Sequence, residues 1–237
     1  MIRSVLLTAT SALFVAPALA AGATIADSTF LDSNWSLTTF SYGQNGGSGS
    51  AVQATLGVTN AVRQVTNTCG ASFSGAVNFS IFEQQGYDPG VSGAVTSLAF
   101  AMDARYVDGL SSFGFAVEQD GQFWMIGYFL NTSAWRTYSL VPTLVDYTPV
   151  GEANPLGPNF STSGSVLHFG FWTSNSSAGG SGYSHTGQYD NFAVVVPGPG
   201  ALAVLGAAAV SWGGGRRRRD GRAGSPSAGI RQPSGRC

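Results

Sequence analysis

The chain has 237 residues, of which 43% are hydrophobic and only 10% charged, and its formal net charge is −1. Soluble proteins average about 25% charged residues, and a chain without a basic excess is not expected to bind nucleic acid through its phosphates. Two cysteines exclude a disulfide-based scaffold and a multi-cysteine zinc site. The aromatic content of 12% argues against a disordered chain.

The first twenty residues have the three-part order of a secretory signal peptide. Arg3 supplies the positive start, residues 4–15 are mostly apolar, and Ala18-Leu19-Ala20 forms a small-x-small cleavage site. The alternative is a short buried helix, but a soluble fold has little reason to begin with this order. We therefore expect residues 1–20 to be a signal peptide and residues 21–196 to form an exported domain.

The exported domain shows hydrophobic alternation with a period of two, which is typical of half-buried β-strands. Clusters of Gly, Ser, Asn and Pro separate these segments, and the Asp120-Gly121 pair predicts a tight hairpin turn. We predict an all-β fold, an antiparallel β-sandwich of the jelly-roll type. The residues that alternate onto one face are Trp35, Leu37 and Thr39; Val77, Phe79 and Ile81; Leu98, Phe100 and Met102; Phe113, Phe115 and Val117; Leu167, Phe169 and Phe171; and Phe192, Val194 and Val196.

Aromatic side chains on the outward faces of strands are candidates for glycan binding, because tyrosine and tryptophan combine a flat apolar ring with a polar group. Strict alternation over residues 123–130 places Phe123, Met125 and Phe129 on one face and Trp124, Ile126 and Tyr128 on the other. The alternative is that such rings fill the second face of a central strand. The candidate glycan contacts are Trp124, Tyr128, Trp172, His168, Trp135 and Tyr138.

The residues needed for an enzyme are sparse. The two histidines, His168 and His185, are not in a zinc-ligand pattern, and no Gly-x-Ser-x-Gly nucleophile elbow occurs. A glycoside hydrolase requires a pair of carboxyl groups. The possible pairs, Asp103 with Asp108 and Glu118 with Asp120, are each more typical of strand ends or turns. We expect a non-catalytic protein, with a polysaccharide-active hydrolase as an alternative.

The C-terminal part has the features of a second targeting signal. A Pro-Gly-Pro motif (Pro197, Gly198, Pro199) precedes a short apolar run, residues 201–212, and then a cluster of arginines (Arg216, Arg217, Arg218, Arg219). Residues 197–219 resemble the PEP-CTERM sorting signal of Gram-negative bacteria, although Gly198 replaces the acidic residue of that motif. The resemblance implies an exosortase-type partner, a transient inner-membrane anchor and a location in the cell envelope or outside the cell. A plain membrane anchor is the alternative, and residues 220–237 are predicted to be a disordered tail.

Two segments at the ends of the exported domain carry a second resemblance. Asp27-Ser28-Thr29-Phe30 with Trp35-Ser36-Leu37, and the closing segment from Gln188 to Val194, are similar to carbohydrate-binding jelly-roll modules and concanavalin-like sandwiches. The resemblance implies a structural calcium ion held by Asp190, with Asp27 as a second ligand. The alternative is that Asp190 caps a turn through its own backbone.

These observations predict a non-catalytic envelope or extracellular-matrix protein that binds or organises surface polysaccharide. A purely structural or adhesive surface protein without a glycan site is the first alternative. The eleven acidic residues and three arginines between residues 21 and 196 give that part a charge of −8, so the basic charge lies mostly in the C-terminal segment. Cys69 is the one cysteine of the predicted domain, and we expect it to be a buried thiol.

Overall fold

A computed structural model describes residues 22–56, 60–109, 111–143 and 146–198 of the chain. These residues contain twelve strands, a one-turn helix α1 (Pro89–Ser92) and a short 3-10 turn (Asp32–Asn34). The strands are β1 (Ala23–Asp27), β2 (Trp35–Tyr42), β3 (Gly47–Leu56), β4 (Asn60–Cys69), β5 (Gly75–Tyr87), β6 (Ala99–Asp108), β7 (Ser112–Gln119), β8 (Gln122–Leu130), β9 (Arg136–Leu140), β10 (Tyr147–Val150), β11 (Leu167–Ser176) and β12 (Tyr183–Val196).

The strands form two six-stranded antiparallel sheets. The first sheet has the order β3-β4-β12-β6-β9, and β1 pairs with the C-terminal part of β12. The second sheet has the order β10-β8-β7-β11-β5-β2. Side chains from both sheets meet in one hydrophobic core, so the predicted all-β antiparallel sandwich is confirmed.

In β7 and β11 the predicted alternation places the core residues correctly. Phe113, Phe115 and Val117 of β7 point between the sheets and are fully buried, as are Phe169 and Phe171 of the neighbouring β11. A strand that alternates buried and exposed positions keeps one face on the core because its side chains point to opposite faces in turn. The two sheets therefore share a core built largely of phenylalanine.

The outer face of the second sheet, which points away from this core, is also hydrophobic at its centre. Phe79, Ile81, Ala116 and Trp172 form a separate buried cluster there. Partly buried hydrophobic side chains from the same sheet cover the cluster: Phe40, Val77, Phe123, Met125 and Val150. Side chains from the outer strands of the second sheet thus cover the centre of that sheet's own outer face.

This packing requires the second sheet to curl strongly. Phe40 lies on β2 and Phe123 on β8, four strand spacings apart, which corresponds to about 19 Å in a flat sheet. Their ring centroids are nevertheless 5.5 Å apart, and the Phe79 ring lies 5.6 and 5.1 Å from them, so the three rings form a triangle. We call Phe40, Phe79 and Phe123 the phenylalanine plug. A Cβ atom at Gly151, just after edge strand β10, would lie 3.4 Å from the Phe40 ring, so the two edges of the sheet approach each other.

Two further sequence predictions agree with the structure. Asp120 and Gly121 connect β7 and β8 with φ angles of 54° and 74°, and positive φ at both positions is what a tight type I′ hairpin turn requires. Cys69 is a buried free thiol, and its Sγ lies 3.6 Å from the backbone oxygen of Tyr183.

The curl can be tested at Gly170, on the central strand β11. A Cβ atom there would collide with the backbone oxygen of Ser80 on β5. A backbone atom held in a sheet cannot move aside as the end of a flexible side chain can. We expect Gly170→Ala to lower the free energy of unfolding by about 1–3 kcal/mol, as overpacking typically does, measured by thermal or urea unfolding. Gly180→Ala is the control, because its nearest neighbour lies at 3.4 Å; equal stability of the two variants would contradict the tight strand approach.

Candidate functional site: a serine-lined cleft beside Tyr128

Trp124 and Tyr128 lie on opposite faces of β8, so the prediction that they share a face is wrong. Ile126 pairs with Phe115 and Phe129 with Phe113, which leaves two residues of β8 opposite one residue of β7. Gly127, within this bulge, has a φ of 68°. A bulge shifts the alternation by one residue, and for the same reason Phe129 lies on the core side instead of beside Phe123 and Met125.

The bulge buries one of the two rings and exposes the other. Trp124 is 2% exposed, lies in the core between the sheets and donates its indole N–H to the backbone oxygen of Asn154 at 2.9 Å. Tyr128 is 67% exposed on the outer face of the second sheet. Tyr128 is therefore available to a ligand, and Trp124 is a core residue.

Trp172 and His168 both lie on the outer face of the second sheet, because Phe169 and Phe171, which alternate with them along β11, point into the core. Trp172 is only 4% exposed, and its ring centroid lies 6.2 Å from that of Tyr128. Trp172 thus supports the exposed tyrosine from below and has little surface of its own. His168 lies two strand positions beyond Gly170, on the far side of the phenylalanine plug.

Trp135 and Tyr138 do not join these residues. The Arg105 guanidinium lies 5.0 Å from the centre of the Trp135 ring, and Arg105 also donates two hydrogen bonds to Gln188 on the outer face of the first sheet. The Tyr138 ring packs against Phe113 and Phe129 in the core. The predicted aromatic platform is therefore reduced to Tyr128 with Trp172 beneath it.

A cleft of about 370 Å³ opens beside Tyr128 at the end of the second sheet. It lies where β7 begins, β8 and β11 end, and the first residue of β12 approaches. We call it the serine cleft. Its lining residues are Ser111, Ser112, Tyr128, Leu130, Ser174, Asn175, Ser176 and Tyr183.

The polar groups of the serine cleft are neutral. The hydroxyls of Ser112 and Ser174 lie 2.8 Å apart across β7 and β11, and the Tyr183 hydroxyl donates to the backbone oxygen of Ser176 at 3.2 Å. The Asn175 side chain points away from the cleft, between the sheets, where its amide N–H donates to the backbone oxygen of Asn67 at 3.3 Å. The hydroxyl and ring groups of the cleft can bind an uncharged polyhydroxylated ligand, since each hydroxyl both donates and accepts.

A further tyrosine borders the cleft from β2. The Tyr42 hydroxyl donates to the backbone oxygen of Asn175 at 3.2 Å, which requires the side chain to cross β5. Gly75 permits this crossing, because any Cβ at that position would collide with the Tyr42 hydroxyl. The cleft was not predicted from the sequence, because its serines resemble the polar face of any strand until the fold brings them together.

The charged groups of this face collect on the other side of the plug. The Nδ1 atom of His168 lies 3.6 Å from a carboxylate oxygen of Glu83, and Ser36 donates its hydroxyl to Glu83 at 2.6 Å. Glu118 pairs with His168 across the strands, and burial raises the pKa of Glu118 above its ordinary value. The outer face of the second sheet is therefore neutral and aromatic at one end and charged at the other.

Asp27 does not have the free oxygens that a calcium ligand needs. One carboxylate oxygen accepts hydrogen bonds from the backbone N–H and the hydroxyl of Thr29, both at 2.7 Å. The other accepts from the backbone N–H of Phe30 at 3.1 Å and the indole N–H of Trp35 at 2.7 Å. A calcium ion takes six to eight oxygen ligands and would have to displace these donors. The residues present do not fit the metal.

Asp190 lies on a different surface from Asp27. It follows the inward-pointing Tyr189 and opposes Asp103 on the outer face of the first sheet, whereas Asp27 points into the core. Its carboxylate accepts the backbone N–H of Asn191 at 2.7 Å, which favours the turn-capping alternative. Across the ranges that the structure describes, no group of three or more His, Cys, Asp or Glu residues is placed to hold a metal ion.

The two predicted targeting signals lie mostly outside the described residues. Pro197 and Gly198 follow β12 directly, and a Cβ atom at Gly22 would lie 2.8 Å from the backbone oxygen of Val196. The predicted signal peptide (residues 1–20), Pro199, the apolar run, the arginine cluster and the predicted tail lie outside the described residues. Among the residues that are described, no helix has the length and hydrophobicity to cross a membrane.

No protein-family model and no curated protein matches the sequence. Structural neighbours include the family 11 carbohydrate-binding module of Clostridium thermocellum, solved with a β-1,3-1,4-mixed-linked tetrasaccharide. It is 14% identical, has a TM-score of 0.46, and aligns over 74% of this chain and 96% of the module. The C-terminal family 22 module of Clostridium thermocellum Xyn10B is 11% identical with a TM-score of 0.35, over 69% of this chain and 87% of the module.

The four hydrogen bonds at Asp27 predict a pH-dependent contribution to stability. Burial alone would raise the pKa of Asp27, but the bonds from Thr29, Trp35 and Phe30 outweigh it and hold the pKa below the ordinary value of 3.8. A carboxyl with a lowered pKa in the folded state stabilises the fold fully above its unfolded pKa, and the contribution is lost as the pH falls through the folded pKa.

We therefore expect Asp27→Asn to lower the free energy of unfolding by about 1–3 kcal/mol at neutral pH, with the difference from wild type shrinking below pH 3.8. Asp88→Asn is the control, since asparagine also caps a helix well. Urea unfolding with and without a chelator checks both points. A loss of wild-type stability on adding the chelator would show that a metal ion is bound after all.

Proposed function

We propose that this protein is a non-catalytic carbohydrate-binding protein that holds a neutral polysaccharide in the serine cleft. The observation that carries the proposal is the Tyr128 ring, 67% exposed and supported by the buried Trp172. An exposed aromatic ring on a packed base offers a flat apolar surface at low entropy cost. The C–H face of a sugar ring is the kind of surface that packs against it.

The serine cleft supplies the polar half of such a site. Hydroxyls of Ser112, Ser174 and Tyr183 border the space beside Tyr128. Binding sites typically combine an apolar surface with a few polar groups that orient the ligand. The lining residues include no acid and no base, so the proposed ligand is an uncharged glycan.

The same lining supports a binding role in preference to hydrolysis. The usual glycoside hydrolase mechanisms place two carboxyl groups on either side of the bond that is cleaved. Glu83 and Glu118 lie beyond the phenylalanine plug, with His168 between their strands. A glycan in the serine cleft would not meet them.

Tyr128→Ala tests the site directly. We expect the full-length protein to bind one or more of soluble β-1,3-1,4-glucan, xylan and β-1,4-galactan, and the variant to bind about tenfold or more weakly, as loss of a central aromatic contact typically does. Polygalacturonate serves as the anionic comparison. Isothermal titration calorimetry or affinity electrophoresis measures the change.

Trp135→Ala is the matched control, because Trp135 is also a partly exposed aromatic residue but stacks on Arg105 at the first sheet. We expect its affinity to equal that of wild type. Loss of binding in Trp135→Ala but not in Tyr128→Ala would move the site to the first sheet. Absence of binding to every neutral polysaccharide would favour a purely structural surface protein.

The sequence supports a location for this binding function. We propose that the signal peptide exports the chain and that residues 197–219 act as a PEP-CTERM-like sorting signal for an exosortase-type enzyme. The domain would then hold polysaccharide in the cell envelope or in the surrounding matrix. Its charge of −8 favours solubility through self-repulsion.

Deletion of residues 197–219 tests the sorting signal. We expect the truncated protein to move from the envelope fraction into the medium, because the apolar run and the arginines would no longer hold it at the membrane. Immunoblots of fractionated cells measure the distribution, and deletion of residues 220–237 is the control. An unchanged distribution after removal of residues 197–219 would refute the sorting role.

A further inference from the structure

We infer that the serine cleft receives the end of a glycan chain and not a stretch from its middle. This inference rests on the proposed function, since it concerns how the same cleft is occupied. It follows from what surrounds the cleft on each side. A groove that binds the middle of a chain must be open at two ends, because the chain has to enter and leave.

The phenylalanine plug closes the cleft along the strands. Going along β11 from the cleft, Ser174 is followed on the outer face by Trp172, Gly170 and His168. Trp172 packs against Phe79, and the rings of Phe40 and Phe123 meet over this part of the face at 5.5 Å. A sugar chain that entered the cleft could not continue towards His168 without separating these rings.

Tyrosine side chains close the other directions. Tyr42 crosses β5 and is bonded to the backbone of Asn175, so it stands between the cleft and the β2 edge. Tyr183 is bonded to the backbone of Ser176 and stands where β11 ends. Tyr128 stands on the β8 side above Trp172. The cleft is thus bounded by rings on each flank and is open outward.

The size of the cleft agrees with a short occupant. Its volume is about 370 Å³, at the low end of the range of about 300–1,000 Å³ that is usual for small-molecule pockets. Such a space holds one or two sugar residues. The rest of the chain would extend into solvent, where it adds little to the binding free energy.

The ionisable side chains beyond the phenylalanine plug also support binding of a chain end. The next polar groups along β11 are His168 and Glu83, 3.6 Å apart, with Glu118 on the neighbouring strand. Glu83 accepts a hydrogen bond from the Ser36 hydroxyl, and Glu118 accepts one from the backbone N–H of Gly121. They do not continue the neutral, hydroxyl-rich surface that the cleft presents.

A length series distinguishes the two modes of binding. The full-length protein is titrated with β-1,3-1,4-glucan, xylan and β-1,4-galactan, each as intact polymer, as partial hydrolysate and as oligosaccharides of one to six residues. We expect the affinity to change by about twofold or less beyond the trisaccharide, within the error of a few tenths of a kcal/mol. We also expect partial hydrolysis to raise the number of binding sites per unit mass in proportion to the new chain ends.

Reduction of the terminal sugar with borohydride then identifies the end. Binding that survives reduction assigns the non-reducing end, and binding that is lost assigns the reducing end. In both cases Tyr128→Ala must weaken the binding by about tenfold or more. Affinity that keeps rising to the hexasaccharide, with sites in proportion to polymer mass, would overturn the chain-end inference and leave the proposed function standing. Absence of binding to all these probes would overturn both.

Discussion

The contact between phenylalanines from opposite parts of the second sheet determines how the rest of this protein is arranged. A flat sheet would hold Phe40 and Phe123 far apart, yet their rings are 5.5 Å apart and both contact Phe79. The curl that brings them together buries apolar side chains on a face that would otherwise be exposed to solvent. Burial of apolar surface is favourable at roughly 25 cal/mol per Å², so the burial of these rings stabilises the curled form of the second sheet. The cleft and its supported tyrosine lie where this second cluster ends.

A hydrogen-bonded carboxylate, that of Asp27 at the end of β1, organises a different part of the sandwich. The Asp27 carboxylate accepts four hydrogen bonds, including one from the indole N–H of Trp35. The Trp35 ring in turn stacks within 5.1 Å of Phe30 and packs 5.3 Å from Phe82 and Phe192. A buried carboxylate is unfavourable unless its oxygens are satisfied, and here they are satisfied by the residues that follow it in sequence. Asp27 therefore joins the first strands to the core through these four hydrogen bonds.

The strands and the core could be predicted from the sequence, because burial imposes a period of two on every strand. Phe113, Phe115 and Val117 lie where their alternation places them. The candidate site could not be predicted in the same way. Strict alternation puts Trp124 and Tyr128 together, but the glycine at position 127 has positive φ and moves one ring to each face. A single glycine in a strand signals such a bulge, and only the pairing register shows which residues it separates.

The serine cleft could not be predicted from the sequence for a related reason. Ser112 and Ser174 are far apart in the chain and unremarkable as polar residues, and their hydroxyls meet at 2.8 Å only because β7 and β11 are neighbours. The plug also separates this neutral end from the carboxylates of Glu83 and Glu118. A strongly acidic domain thereby keeps one recess free of charge. In such a recess an uncharged sugar can exchange its water hydrogen bonds for hydroxyl partners, whereas an anionic glycan would meet the repulsion of the surrounding domain.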